Sequence, residues 1–330
     1  MYSAESERYN NFEYVRCGKS GLKLPPLSLG LWHNFGREDD YEKSKQTVLT
    51  AFDSGITHFD LANNYGPPPG AAEQTFGKIL REELGAYRDE IIVSTKAGHP
   101  MWDGPYGDWG SRKHLTASLD QSLERLGLDY VDIFYTHRPD PETPLEETIR
   151  AVSDSVMAGK ALYPGISKYK VQDTINAIEI FERLDTPLLV HQINYSMLDR
   201  TPENLRLWDV LKAKGKAAVV FSPLAQGLLT DKYLNGIPEG SRAAREGTFL
   251  SSEKITPKLV EKIKRLNEIA RQRSQTLAQM ALQWATRDDC VCSAIVGASS
   301  PEQILDSLEF AKAEPLSEEQ LKTIENILSD

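Results

Sequence analysis

The stretch FDLANNYG, residues 59 to 66, decides how this chain is interpreted. An apolar run ends at Asp60, and Tyr65 follows five residues later in a loop rich in Asn, Gly and Pro. Taken alone, the carboxylate is compatible with a turn or a helix cap. The interpretation therefore depends on what the ends of the other apolar runs carry.

Short apolar runs alternate with segments of helical periodicity along the chain. The runs have the length and composition of strands buried on both faces. There are eight of them, at residues 24–32, 57–62, 91–95, 131–137, 161–167, 188–194, 217–223 and 292–298. One intervening segment, which begins at Arg112, repeats leucine on a single helical face, with Ser111 as a plausible N-cap and Gly127 as the terminating residue.

Eight strands alternating with helices imply parallel pairing through right-handed crossovers. An open doubly wound sheet would also satisfy the alternation, but no G-x-G-x-x-G turn follows any strand. The count of eight favours closure into an α/β fold, a (β/α)8 TIM barrel formed by a single domain over residues 1–330.

Four features lie outside the simple alternation. Residues 12–24 predict a β-hairpin that turns at GKSG and caps the closed end of the barrel, and residues 317–330 predict a final helix. Residues 225–258 are too long for a simple connection and are expected to form a lid or binding element. Pro164 interrupts a central strand, so we expect a bulge there or a later start to that strand.

Composition argues against several classes of partner. The net charge of −10 disfavours nucleic acid and anionic membranes, because both need a basic face. No signal peptide and no apolar run of about 20 residues is present, so we expect a cytoplasmic protein. The cysteines, Cys17, Cys290 and Cys292, are expected to be small buried side chains, with no metal or redox site among them.

Ionisable side chains stand at the ends of three consecutive predicted strands. Asp60 ends the second strand with Tyr65 on its loop, Lys96 ends the third strand, and His137 ends the fourth. Adjacent strands lie about 4.8 Å apart, so the four groups can converge at the carboxyl end of the barrel. Each residue alone has an ordinary explanation, as a cap, a solvated lysine or a structural histidine. Four of them at equivalent positions indicate a site.

These groups would together make a proton donor. A nearby ammonium group favours a phenolate, so we expect Lys96 to lower the pKa of Tyr65 from its ordinary value of about 10. Asp60 would keep Lys96 charged and in place, and His137 would hydrogen-bond the phenol or a substrate oxygen. Such a site suits protonation of a carbonyl oxygen while the carbon is attacked.

Six motifs carry a resemblance to a known family. In chain order they are FDLANNYG, VSTKAG, YTHRPD, HQINYS, FSPLAQGLLTDKY and AIVGASSPEQI. Over roughly residues 12–312 the chain resembles the aldo-keto reductases, in the branch of potassium-channel β subunits and bacterial L-glyceraldehyde 3-phosphate or methylglyoxal reductases. The resemblance implies NADPH across the barrel mouth and a catalytic tetrad of Asp60, Tyr65, Lys96 and His137.

The resemblance also implies a set of cofactor contacts. Ser167 and Gln192 would hold the nicotinamide carboxamide, Phe221 would stack on its ring, and the long loop would cover the pyrophosphate. Ser299 and Gln303 would meet the adenosine 2′-phosphate, which favours NADP(H). The full expected set is Trp32, Ser167, Gln192, Phe221, Ser222, Leu224, Gly227, Lys232, Arg242, Gly297, Ser299, Gln303, Asp306 and Ser307.

Residues at the expected barrel mouth suggest the class of substrate, and two alternatives to a reductase stay open. The side chains that would line the mouth are Trp32, His33, Trp102 and Arg138, and cations such as Arg138 or Lys168 suit a small anionic aldehyde. Most relatives have Asn at the position of Lys168, although the channel branch has a basic residue there. The alternatives are a cofactor-binding regulatory subunit with slow turnover, and a lyase or aldolase that uses Lys96 as a Schiff base. Homo-oligomerisation stays open, and no metal is expected.

Overall fold

The fold is a closed parallel β-barrel wrapped by helices. The computed structural model describes residues 2–234, 236–238, 250, 253 and 255–330. The barrel strands are β3 (Leu27–Gly30), β4 (His58–Asp60), β5 (Ile92–Ala97), β6 (Val131–Thr136), β7 (Ala161–Ser167), β8 (Val190–Asn194), β9 (Ala217–Phe221) and β10 (Val291–Val296). They close in the order β10-β3-β4-β5-β6-β7-β8-β9, which confirms the predicted (β/α)8 barrel.

Helices follow the strands and cover the outside of the barrel. They are α1 (Tyr41–Asp53), α2 (Ala71–Ile79), α3 (Arg112–Leu126), α4 (Leu145–Met157), α5 (Val171–Arg183), α6 (Thr201–Asn204), α7 (Leu207–Ala213), α8 (Pro257–Gln272), α9 (Leu277–Ala285), α10 (Pro301–Leu308) and α11 (Glu318–Ser329). The predicted helix from Arg112 is capped as expected: the Ser111 side chain accepts from the His114 N–H, and Gly127 adopts a left-handed conformation. None of the described helices is long and apolar enough to cross a bilayer.

A two-stranded hairpin closes the amino-terminal end of the barrel. It consists of β1 (Val15–Arg16) and β2 (Lys23–Leu24). Cys17 and Leu24 are buried against the barrel interior, and the backbone N–H of Lys19 donates to the carbonyl of Gly215, 2.9 Å away, just before β9. The predicted cap is confirmed. The apolar run 24–32 is therefore two elements, because Pro25 and Pro26 separate β2 from β3.

The expectation of a bulge or a later strand start at Pro164 is wrong. Strand β7 begins at Ala161 and stays in register with β6 through the proline. The Pro164 carbonyl accepts from the Leu189 N–H at 3.1 Å, whereas regular pairing with β8 starts only at Gly165. The N–H that proline lacks would face the segment before β8, so no ladder hydrogen bond is lost. The shift in register lies between β9 and β10 instead, between Val291 and Ser293.

The apolar core has two parts. A large layer fills the space between the strands and the helices, and a smaller cluster fills the barrel interior around Ile133, Tyr135 and Val219. All three cysteines are free and buried, as expected. The C-terminal helix α11 is closed by a capping box between Ser317 and Gln320.

Candidate active site

Period-two alternation in the barrel strands aims the predicted residues inward. Asp60 ends β4 and pairs in register with Ser94, and Lys96 in β5 pairs with Tyr135 of β6. His137 directly follows β6, and Tyr65 lies on the loop between β4 and α2. The four predicted residues therefore meet at the carboxyl end of β4, β5 and β6.

Asp60 and Lys96 form a buried ion pair. The Lys96 ammonium lies 2.6 Å from Asp60 Oδ2 and donates to the Leu61 carbonyl at 2.5 Å. The second oxygen of Asp60 accepts from the Ser94 hydroxyl at 2.6 Å and the Gln192 amide at 2.9 Å. Burial lowers the pKa of Lys96, and the charge of Asp60 opposes that shift. Four hydrogen bonds thus fix this pair in one geometry.

Tyr65 lies above this pair with its ring half-buried. The Lys96 ammonium lies 5.0 Å from the centroid of the Tyr65 ring. The expectation that the pKa of Tyr65 lies below its ordinary value is wrong: burial raises that pKa well above the ordinary value, and the charge of Asp60 raises it further. Burial is the larger cause, and the Asp60 carboxylate also balances the charge of Lys96, with which it is in contact. Tyr65 is therefore protonated at neutral pH, which is the state that a proton donor needs.

His137 stands beside the phenol as a neutral imidazole. Its ring centroid lies 5.8 Å from that of Tyr65 in an edge-on arrangement. Burial lowers the pKa of His137 well below its ordinary value, and the charges of Lys96 and Lys168 lower it further. His137 Nδ1 is buried and has no hydrogen-bond partner among the described residues. A neutral ring with a free nitrogen can bind a substrate oxygen without carrying charge.

A hydrogen-bond chain behind Asp60 was not predicted from the sequence. Ser28 Oγ lies 2.6 Å from Ser293 Oγ and 2.8 Å from His58 Nδ1, and His58 Nε2 lies 2.9 Å from Ser94 Oγ. Because Ser94 donates to Asp60, it must accept from His58, so the donors run in one direction towards the carboxylate. Burial lowers the pKa of His58 to about 4. The available signal was spacing, since His58 precedes Asp60, and Ser94 precedes Lys96, by two residues on an inward strand face.

The expected nicotinamide contacts lie on three neighbouring strands. Ser167 of β7 pairs in register with Gln192 of β8, and Phe221 ends β9. Ser167 Oγ is buried and has no partner in the described part of the chain. Gln192 is already bonded to Asp60, which ties the predicted cofactor contacts to the tetrad.

The expected pyrophosphate loop begins in a tightly turned segment. Ser222, Ala225 and Gln226 have positive φ values of 56°, 46° and 59°, and Gly227 follows at 94°. Hydrogen bonds from Ala225 to Ser222 and from Gly227 to Leu224 close this turn. Lys232 is exposed beyond it, after the cap of Thr230. Arg242 lies outside the described residues, together with the rest of 239–249 in the predicted lid.

The expected 2′-phosphate contacts lie around the start of α10. Ser299 donates to Gln303 Oε1 from both its N–H, at 2.8 Å, and its hydroxyl, at 3.2 Å, and both residues are exposed. Gly297 is exposed directly after β10. By contrast, Asp306 accepts from the Gln279 amide at 2.9 Å, and Ser307 is buried, so these two residues present less to a ligand.

Aromatic and basic side chains surround the mouth. The Trp32 ring is 38% exposed and lies 6.2 Å from the Tyr65 ring, with His33 beside it at 4.2 Å. Trp102 packs against His114 at 4.9 Å, which gives it a structural contact on α3. Two residues that the sequence interpretation missed also lie here: His99 stands 4.4 Å from His137, and the Trp109 ring carries the Arg138 guanidinium at 3.6 Å.

Comparison with known proteins agrees with this geometry. The aldo/keto reductase family model matches residues 26–329. The chain is 52% identical to an L-glyceraldehyde 3-phosphate reductase of Escherichia coli O157:H7, over 100% of this chain and 96% of that protein. It is 37% identical to a putative voltage-gated potassium channel subunit beta of Schizosaccharomyces pombe, over 97% and 94% of the two chains.

A solved structure shares the architecture. The aldo-keto reductase AKR11C1 from Bacillus halodurans, in its holo form, superposes with a TM-score of 0.77 and 27% identity, covering 96% of each chain. The matched family model spans nearly the whole barrel, and the relatives include a reductase and a channel subunit, as expected for the branch that the sequence motifs suggest. The chain is an oxidoreductase that belongs to the aldo/keto reductase family.

Proposed function

We propose that this protein reduces small aldehydes and ketones to alcohols with NADPH, and that Tyr65 is the proton donor. The observation that carries the proposal is a protonated phenol held over the buried Lys96–Asp60 pair and beside a neutral imidazole. L-Glyceraldehyde 3-phosphate and methylglyoxal are the candidate substrates. The first is supported by 52% identity to a reductase of that name.

The residues present fit a nicotinamide cofactor. The buried hydroxyl of Ser167 lacks a partner among the described residues and is suited to bind a carboxamide. The half-exposed ring of Phe221 can stack on a flat heterocycle, and the exposed Ser299 and Gln303 can bind a phosphate. Family members generally use NADP(H). When bound, NADPH would supply the hydride.

The chain's own residues would handle the proton. The substrate carbonyl oxygen would accept hydrogen bonds from the Tyr65 hydroxyl and from an N–H of His137. As the carbon becomes reduced, the Tyr65 proton passes to the oxygen and yields the alcohol. The phenolate left behind faces Lys96, whose positive charge opposes the cost of forming it in a buried site. Because Tyr65 is half-buried, solvent can return the proton.

A cofactor-binding regulatory subunit is the second candidate. It is favoured by 37% identity to a putative potassium channel subunit beta over nearly the whole of both chains. A Schiff-base lyase is disfavoured, because Lys96 has no exposed surface and its amine is bonded to Asp60 and to the Leu61 carbonyl. A carbonyl carbon therefore has no path to the amine.

The test is NADPH oxidation measured with a panel of aldehydes, phosphorylated and not, and with NADH as the control. The proposal predicts steady turnover with NADPH on at least one small aldehyde. Tight NADPH binding with turnover near zero across the panel would favour the regulatory subunit instead.

A further inference from the structure

Two basic residues near the tetrad, Arg138 and Lys168, differ in whether a carboxylate balances their charge. Arg138 donates from Nη2 to Asp108 at 2.7 Å and from Nε to the Gly98 carbonyl at 2.7 Å. Its guanidinium also stacks on the Trp109 ring. The charge of Arg138 is therefore balanced and its geometry is fixed. It has little left to offer a substrate.

Lys168 has no such partner. No described carboxylate forms an ion pair with it, and its ammonium lies 5.7 Å from the centroid of the Phe221 ring. Its backbone is in the left-handed region, with φ of 64°, and its N–H donates to the Gln192 carbonyl at 3.0 Å. A residue with a side chain rarely adopts this conformation. The hydrogen bond to β8 holds the backbone of Lys168 in it, and this fixes the position of its Cβ.

The surroundings of Lys168 are neutral or positive. Lys168 is exposed as a residue, but desolvation of its ammonium, followed by the charges of Lys96 and Arg138, lowers the pKa of Lys168 to about 8. The nearby His99 and His137 are neutral, since burial, Lys168 and the other cations lower the pKa of each. The carboxylates that contact these two cations, Asp60 and Asp108, are paired with Lys96 and Arg138 respectively. An uncompensated ammonium at a binding mouth attracts an anion.

We propose that Lys168 binds the anionic group of the substrate, a phosphate monoester on a short aldehyde, and so determines substrate specificity. This inference rests on the proposed reductase function. The geometry separates Lys168 from the expected cofactor 2′-phosphate contacts, because Lys168 follows β7 whereas Ser299 follows β10, and β8 and β9 lie between them. Lys168 follows β7 and His137 follows the neighbouring strand β6, so the cation lies one strand away from the residue that would hold the carbonyl.

The experiment compares Lys168→Met and Lys168→Arg with wild type on two substrates that differ only in the phosphate, glyceraldehyde 3-phosphate and glyceraldehyde. Lys168→Met should raise KM for the phosphorylated aldehyde by about 10-fold or more, and leave kcat/KM for glyceraldehyde within about 2-fold. Lys168→Arg, which keeps the charge, should recover most of the loss. Lys170→Met, an exposed lysine two residues along, is the matched control and should change neither.

Equal effects of Lys168→Met on both aldehydes would overturn the inference, as would a raised KM for NADPH with an unchanged KM for the phosphorylated aldehyde. Failure of the proposed function is distinguishable, because wild type would then reduce neither compound. In that case, the anion site is tested by calorimetry, which measures the binding of glycerol 3-phosphate to wild type and to Lys168→Met in the presence of NADP+. Binding lost in Lys168→Met supports the anion site, and equal binding by both proteins refutes it.

Discussion

At the scale of the residue, the charge of Lys96 is balanced by Asp60 before the reaction and can stabilise the Tyr65 phenolate after it. The sequence suggests that Lys96 acidifies Tyr65 directly, but Asp60 balances the lysine at 2.6 Å. The Tyr65 hydroxyl consequently stays protonated until it transfers its proton to the substrate oxygen. The lysine matters most after proton transfer, when the phenolate adds a second negative charge beside Asp60. Removing Lys96 should therefore lower both the rate of proton transfer from Tyr65 and the stability of the protein.

Lys96→Met is expected to lower kcat by about 10²- to 10⁴-fold, the range of lost acid–base assistance. The bare carboxylate of Asp60 would then raise the pKa of Tyr65 further, so the alkaline limb of any residual pH–rate profile should move upward. The measurement is kcat/KM against pH. A residual profile that does not move would contradict the assigned coupling between the two groups.

The same substitution should destabilise the protein by about 3–5 kcal/mol, because it leaves a buried charge without a partner. The double variant Asp60→Asn with Lys96→Met removes both charges and is the control. It should recover much of the free energy of unfolding in urea but none of the activity. Recovery of activity in the double variant would mean that the lysine is only structural.

At the scale of the element, alternation of strand and helix was sufficient to predict the barrel, whereas the detail inside the strands was not. Eight apolar runs give eight strands, and the motif ends give the four convergent residues. The chain from Ser28 through His58 to Ser94 escaped prediction, because hydrogen-bond partners 30 to 36 residues apart depend on barrel register. The effect of Pro164 escaped for the same reason, since it depends on where the neighbouring strand starts.

Close strand packing makes one glycine of β7 testable. A Cβ added at Gly165 would lie 2.4 Å from the ring of Tyr135, which is fully buried. Gly165→Ala should therefore lower the free energy of unfolding by about 1–3 kcal/mol, the usual cost of overpacking. Gly21→Ala, in the hairpin turn where nothing lies within 4 Å, is the matched control and should be near neutral. Equal urea midpoints for the two variants would contradict this account of barrel packing.

At the scale of the whole molecule, burial keeps five histidines in the neutral form. Burial lowers the pKa of His58 to about 4 and of His191 to about 3, and it lowers those of His99, His114 and His137 as well. Histidine in the unfolded chain titrates near 6.5. The unfolded state therefore binds more protons than the folded state at any pH between these values, and stability must rise with pH there.

Lowering the pH from 6.5 to 5.5 should accordingly reduce the free energy of unfolding, by about 1 kcal/mol for each histidine that stays neutral in the folded state. The loss should continue to about pH 4 for His58 and about pH 3 for His191. Carboxylates contribute little above pH 5.5, so urea unfolding curves in that upper interval isolate the histidines. A free energy of unfolding that stays constant from pH 6.5 to 5.5 would contradict the buried neutral assignment.

The most direct measurement is NADPH oxidation with glyceraldehyde 3-phosphate by wild type and Tyr65→Phe, together with NADPH binding followed by fluorescence. The phenol donates a proton and does not hold the cofactor, so we predict that kcat falls by about 10³-fold or more while the Kd for NADPH stays within about 2-fold. A variant that keeps most of its kcat would contradict the role of Tyr65 as proton donor.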